Sequence, residues 1–175
     1  MNNTPLEIEY KFLILMPDLQ VLRKQCDYKE KKLCQMYLEL PAGYSPHGSR
    51  CRIRKTEVDG KITYFKTFKK DLDGIRRIEI EEEISEAEFN TLSRYRASDT
   101  ALIEKTRHTF TFAGYTCEVD VFPFWSDMAF LEIEVENETI VPAVPSFIEI
   151  IKDVSTDKNF RNSVLAKRIF DGSIT

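Results

Sequence analysis

A chain of 175 residues with 29 acidic and 25 basic side chains can bury one substantial core and is short for two ordinary domains, so a single domain over residues 1–175 is expected. Its formal net charge of -4 gives no overall attraction to nucleic acid or an anionic membrane, so an anion must be held by a local cluster of Lys and Arg. No apolar run approaches a membrane span, and the opening MNNTPLEIEYKF has neither the basic flank nor the apolar stretch of a signal peptide, which predicts a soluble, cytoplasmic protein.

In chain order, LEIEYKFLIL (6–15) alternates as a strand, with Glu7, Glu9 and Lys11 on one face and Ile8, Tyr10 and Phe12 on the other. Pro17 predicts a helix opening that runs to about Asp27. LCQMYLEL (33–40) is a strand with Gln35 and Tyr37 on one face. After a polar turn, SRCRIRKTE carries Arg50, Arg52 and Arg54 in alternation. Asp59-Gly60 predicts a hairpin into KITYFKTFK, whose Ile62, Tyr64 and Lys66 share a side.

The turn DLDG (71–74) leads to IRRIEIEEEI, with Arg77, Glu79, Glu81 and Glu83 on one face. Ser85 with Glu88 reads as a capping box for a helix to about Arg96. LIEKTRHTFTF (102–112) supplies Ile103, Lys105 and Arg107, and Gly114 turns the chain into YTCEVDVF with Glu118 and Asp120. FLEIEVEN (130–137) follows an aromatic loop and alternates Glu132, Glu134 and Glu136 with Leu131, Ile133 and Val135. Short helices are predicted around 146–154 and 159–169. Cys26, Cys34, Cys51 and Cys117 contain no C-x-x-C pair, and only His47 and His108 accompany them; reduced thiols and no zinc site are expected.

A solvated sheet face explains any one of these charged strands. Across the set, however, acids and bases of both signs collect on one face, while Ile, Val, Leu, Phe and Tyr collect on the other and need helices to cover them. A sheet curled around its charged side forms a polar channel. Such a channel suits a polyphosphate: Lys and Arg ring the phosphoryl oxygens, and clustered carboxylates tolerate one another around a hard divalent cation.

EIEYK (7–11) resembles the E-x-E-x-K signature of the CYTH superfamily, the triphosphate tunnel metalloenzymes. The likeness continues through QMY (35–37), RIR (52–54), FKTFKK (65–70), GIRRIEIE (74–81), EKTRHTF (104–110), CEVDVF (117–122), FLEIEVE (130–136) and DKNFRNSVLA (157–166). It implies a mainly β fold with flanking helices, an eight-stranded antiparallel β-barrel forming a tunnel. It also implies hydrolysis or cyclisation of a triphosphate with Mg2+ or Mn2+.

Carried over residue by residue, the resemblance puts metal on Glu7, Glu9, Glu132 and Glu134. The anion-binding set becomes Lys11, Arg52, Arg54, Lys66, Arg77, Lys105 and Arg107. Glu79, Glu81, Glu118 and Asp120 line the same tunnel as supporting acids or a second-metal set, and Lys105 with Tyr37 is the implied water-activating pair. Lys69 and Lys70 are expected outside or at the mouth, Arg50 at the rim, and Lys158 and Arg161 near an entrance. The leading activity is hydrolysis of inorganic triphosphate to pyrophosphate and phosphate. Alternatives are an adenylate cyclase, a thiamine or nucleoside triphosphatase, and a non-catalytic polyphosphate-binding module. No nucleic-acid or membrane partner is expected, and monomer and homodimer stay open.

Overall fold

The computed structural model describes residues 6–46 and 49–174; His47 lies outside them. Among the described residues there are nine strands: β1 (Leu6–Leu15), β2 (Cys26–Leu38), β3 (Arg50–Val58), β4 (Lys61–Asp71), β5 (Arg76–Ile84), β6 (Ile103–Phe112), β7 (Tyr115–Val121), β8 (Met128–Glu134) and β9 (Ile150–Asp153). Three short helices accompany them: α1 (Leu19–Leu22), α2 (Glu86–Leu92) and α3 (Asn162–Phe170).

The hydrogen-bonded order is β5-β4-β3-β2-β6-β7-β8-β1, and β1 returns to β5 through Leu6↔Ile78, Glu7↔Arg77 and Ile8↔Arg76. The eight antiparallel strands therefore close into a barrel, as expected. The Asp59-Gly60 turn has both residues at positive φ, 49° and 77°, the backbone of a two-residue hairpin whose twist matches its strands. Ser85 caps α2 by accepting from the Glu88 backbone N–H at 3.1 Å.

Two elements differ from the sequence reading. The helix expected at 146–154 is replaced by β9, which pairs with β1 through Phe12↔Asp153 and Leu13↔Lys152. β5 leaves β1 after only three pairs, so the rest of that β1 edge has free backbone groups, and Ile150 and Ile151 suit a strand that fills it. The helix expected from Pro17 to about Asp27 ends at Leu22, because Cys26 to Lys32 are drawn into β2 by pairing with β6. Tertiary pairing here outweighs local propensity.

Apolar residues fill three regions. Phe12, Ile14, Phe110, Val119, Leu131 and Ile133 pack outside β1, β6, β7 and β8 with Leu22 of α1. Leu38, Cys51, Ile53 and Ile84 pack outside β2 to β5 with Phe89 and Leu92 of α2. A third cluster, Leu13, Ile103, Phe122, Phe130 and Leu165, with Tyr37 and Phe160 against it, lies under α3. The aromatic loop belongs to this packing: the Trp125 ring meets Phe130 edge-on at 5.0 Å and Phe122 at 5.6 Å. The four cysteines are free thiols.

Candidate functional site

The barrel encloses a cavity of about 630 Å3 lined by Glu7, Glu9, Lys11, Tyr37, Arg52, Arg54, Arg77, Glu79, Glu81, Arg107, Glu118, Glu132 and Glu134. Strand pairing puts these groups together. Glu9 is opposite Glu134, Lys11 opposite Glu132, and Glu118 opposite Glu132; Tyr37 is opposite Arg52, and Glu7 opposite Arg77. Directly opposed carboxylates repel one another unless cations sit between them.

Bases supply much of that compensation. Arg77 contacts Glu9 at 2.5 Å and Glu7 at 2.9 Å; Lys11 contacts Glu132 at 3.0 Å. Arg52 pairs with Glu79 at 3.4 Å and Arg54 with Glu81 at 2.9 Å. Arg107 is the hub of the opposite wall: it donates twice to Asp120 at 2.7 Å, to Glu132 at 2.5 Å, and also to Glu118. Burial alone raises the Glu132 carboxyl, but Lys11, Arg107 and Lys105 hold it well below the usual carboxylate range. Arg52 Nε and Arg54 Nε are buried donors without an acceptor, a state an anion's oxygens relieve.

Lys105 and Asp120 sit behind this lining. Lys105 Nζ donates to Asp120 Oδ2, and both side chains are almost wholly buried. Burial, and then the neighbouring Arg107 charge, push the Lys105 ammonium down to about 8 despite Asp120. The Tyr37 hydroxyl lines the cavity and accepts from Gln35 Nε2 at 3.3 Å; burial keeps its phenol protonated by pushing its pKa up. No direct Lys105–Tyr37 hydrogen bond joins the implied pair among the described residues. The Glu7 and Glu79 carboxyls are shifted in opposite directions. Burial, the hydrogen bond to Glu79 and the Glu9 charge push Glu7 up to about 8, whereas Glu79, although burial opposes it, is held at about 2 by Glu7, Lys69 and Arg52.

Lys66 departs from the sequence expectation. Its ammonium lies outside the barrel, paired with Glu82 and with Glu88 of α2 at 3.1 Å. The reason is parity: Lys66 is opposite Ile53 and Glu82, whereas Thr67 and Lys69 are opposite the inward Arg52, Glu81, Arg50 and Glu79. Lys69, expected at the surface or mouth, lines the cavity and reaches Glu79, and Glu7 at 3.4 Å. We expect Lys66→Gln to leave turnover within about twofold and Lys69→Gln to lower it about tenfold or more, read from steady-state phosphate release.

Arg50 is a rim residue, as expected. It grips Asp71 at 2.8 and 2.9 Å, and Arg161 at the start of α3 contacts the same carboxylate at 2.8 Å. Residues 155–163 thereby cross one end of the cavity. Lys31 also lines the cavity and was missed. Counting back from Tyr37 by twos along β2 leads to it, but the strand expected from residue 33 stops short of it, whereas β2 begins at Cys26.

A family model described as the CYTH domain matches residues 5–159. The chain belongs to the CYTH family. This CYTH protein is 36% identical over 162 residues to an inorganic triphosphatase of Acetivibrio thermocellus, covering 92% of this chain and 93% of that one. Among solved structures it resembles the inorganic triphosphatase NE1496, at 27% identity and TM-score 0.54, covering 92% and 94% of the two chains. It shares its fold with the PH1819 protein of Pyrococcus horikoshii, at 24% identity and TM-score 0.56 over 76% and 80%. Among the described residues, no helix is long and apolar enough to cross a membrane.

The donor chemistry of the CYTH cavity fits a hard divalent cation, since its acidic groups are carboxylate oxygens and, among the described residues, no imidazole lines it; the thiol residue beside it, Cys51, is buried and packs with Leu38, Ile53 and Ile84. Among the described residues no three such donors form a ready-made metal cluster. Glu134, opposite Glu9 and without an ion-pair partner among the described residues, is the acid in the set with the most to gain from a cation.

Proposed function

We propose that this CYTH protein is a divalent-metal-dependent triphosphatase that cleaves inorganic triphosphate to pyrophosphate and phosphate. The observation that carries the reading is a closed barrel whose cavity intersperses carboxylates with Arg and Lys, in a chain 36% identical across nearly its whole length to an inorganic triphosphatase.

Phosphoryl transfer needs positioning and charge stabilisation more than a covalent nucleophile. Arg52 and Arg54, two residues apart on β3, bind phosphoryl oxygens through the fork of the guanidinium, and their orphaned Nε donors are satisfied when they do. Lys11, Arg77 and Arg107 exchange part of their contact with carboxylates for contact with the substrate. Glu7, Glu9, Glu132 and Glu134 would hold the Mg2+ or Mn2+, with Glu79, Glu81, Glu118 and Asp120 as supporting acids. The cation supplies charge neutralisation and Lewis acidity at a phosphoryl oxygen. The protonated Tyr37 hydroxyl orients water or substrate oxygen by donating to it.

From behind the lining Lys105 reaches the attacking water only through an intervening water, and in its neutral form it takes the proton by that route. Because its ammonium is pushed down to about 8, the neutral fraction rises as pH climbs through about 8 and saturates above it. The expected pH profile of kcat therefore has a rising limb near pH 8, and Lys105→Met removes that limb along with most of the turnover. A limb that persists in Lys105→Met assigns the proton to another group.

The test of the function is to strip the protein of metal, restore Mg2+ or Mn2+, and follow products from inorganic triphosphate and from ATP. Metal-dependent release of one phosphate per pyrophosphate from inorganic triphosphate is the expected result. Cyclic AMP from ATP without triphosphate hydrolysis moves the reading to a cyclase.

A further inference from the structure

Lys31 stands apart among the bases of the cavity. On the barrel strands, Lys11, Arg50, Arg52, Arg54, Lys69, Arg76, Arg77 and Arg107 each lie within 4.0 Å of a carboxylate. Lys31 lines the same cavity, is half-buried, and has no such partner among the described residues. Its strand neighbour is Arg107, whose guanidinium is already committed to three acids, so the nearest strong charge does not neutralise it. Burial, and then Arg107 and Arg54 outweighing Glu118, hold its ammonium below the ordinary lysine value, the signature of a cation waiting for an anion.

Its place along the tunnel gives it a specific task. Pairing of β2 with β3 runs from Leu38↔Cys51 to Lys32↔Glu57, so Lys31 lies past the Glu57 end of that ladder, beside the Asp59-Gly60 hairpin. The opposite end carries Arg50, Asp71 and Arg161, with residues 155–163 drawn across it. A triphosphate laid along Arg52 and Arg54 thus has one end against the covered mouth and the other at Lys31. Inorganic triphosphate is ionised at both ends. In a nucleoside triphosphate one end is esterified: its α-phosphoryl keeps a single ionised oxygen, and with the opposite mouth covered the bulky nucleoside lies toward Lys31 and holds that weaker anion off the half-buried ammonium.

We propose that Lys31 is a further substrate-binding residue that engages the second ionised end of inorganic triphosphate and so selects wholly inorganic chains over nucleotides. The assignment rests on the triphosphatase reading for its substrate, but binding tests it independently of turnover.

Wild type, Lys31→Gln and Lys31→Arg are titrated calorimetrically with inorganic triphosphate and with ATP in EDTA, where ligand is bound and not consumed. Lys31→Gln is expected to weaken inorganic triphosphate about tenfold and ATP less than twofold, and Lys31→Arg to stay within about threefold of wild type for both. Equal weakening of the two ligands, no weakening, or no binding of inorganic triphosphate by wild type overturns the proposal. The expected binding pattern in a protein that hydrolyses nothing when Mg2+ is restored supports Lys31 and counts against the hydrolase reading alone.

Discussion

In the Glu9→Gln/Glu134→Gln double variant, metal-supported hydrolysis of inorganic triphosphate is expected to fall by about a thousandfold or more while the barrel stays folded. Strand pairing sets the two carboxylates opposite each other on β1 and β8, and neutralising both removes half of the proposed metal-holding set. Arg77 loses Glu9 but retains Glu7 at 2.9 Å, whose carboxyl ionises more readily once the Glu9 charge that raises it is gone, so no buried cation is stranded, and relief of the Glu9–Glu134 repulsion offsets part of that loss. Steady-state phosphate release across a Mg2+ titration reads the effect. A large rise in the Mg2+ concentration needed for half-maximal rate, with an unchanged melting temperature, matches the expectation; full activity at ordinary Mg2+ removes these two residues from the site.

Asp120→Asn acts on folding instead. Asp120 is completely buried and accepts from Lys105 and from Arg107 twice. Arg107 keeps Glu118 and Glu132, but Lys105 loses the only carboxylate in contact with it among the described residues. Removing one partner of a buried pair costs about 3–5 kcal/mol, roughly 10 °C of melting temperature for a chain of this size.

The sign of the pH dependence follows from Lys105. Asp120 raises its pKa, so in the variant the folded-state value drops below about 8 while the unfolded value stays near the ordinary lysine value. Folding then requires Lys105 to shed its proton, and the penalty is largest at acidic and neutral pH and shrinks as pH rises. Thermal denaturation of wild type and variant from pH 6 to pH 9.5 measures this. Lys105→Met/Asp120→Asn should recover most of the lost stability, because neither charge is then buried alone. A penalty that does not change with pH, and is not recovered in the double variant, places its origin elsewhere.

The barrel was legible because alternation survives wherever a strand has two chemically different faces. Glu7, Glu9 and Lys11 point into the cavity for the same reason that Ile8, Tyr10 and Phe12 point away from it. Legibility ended where pairing, not composition, decides. Lys66 and Lys69 are chemically alike, and only the register of β4 against β3 and β5 sends one to α2 and the other to Glu79. β9 was read as a helix because its reason for being a strand is the β1 edge that β5 vacates, a fact located some seventy residues away in sequence. Lys31 is hidden by the same limitation: its run, YKEKKL, falls between the expected helix and the strand expected from residue 33 until β6 claims it as a partner.

The measurement that tests the central claim most directly is anomalous diffraction from crystals grown with Mn2+ and a non-hydrolysable triphosphate analogue. The account predicts a manganese peak in the barrel cavity, coordinated by oxygens drawn from Glu7, Glu9, Glu132 and Glu134, with the phosphate chain lying along Arg52 and Arg54. An anomalous peak outside the barrel, or a triphosphate bound on its outer surface with the cavity ion pairs of Arg77 and Lys11 intact, would contradict it.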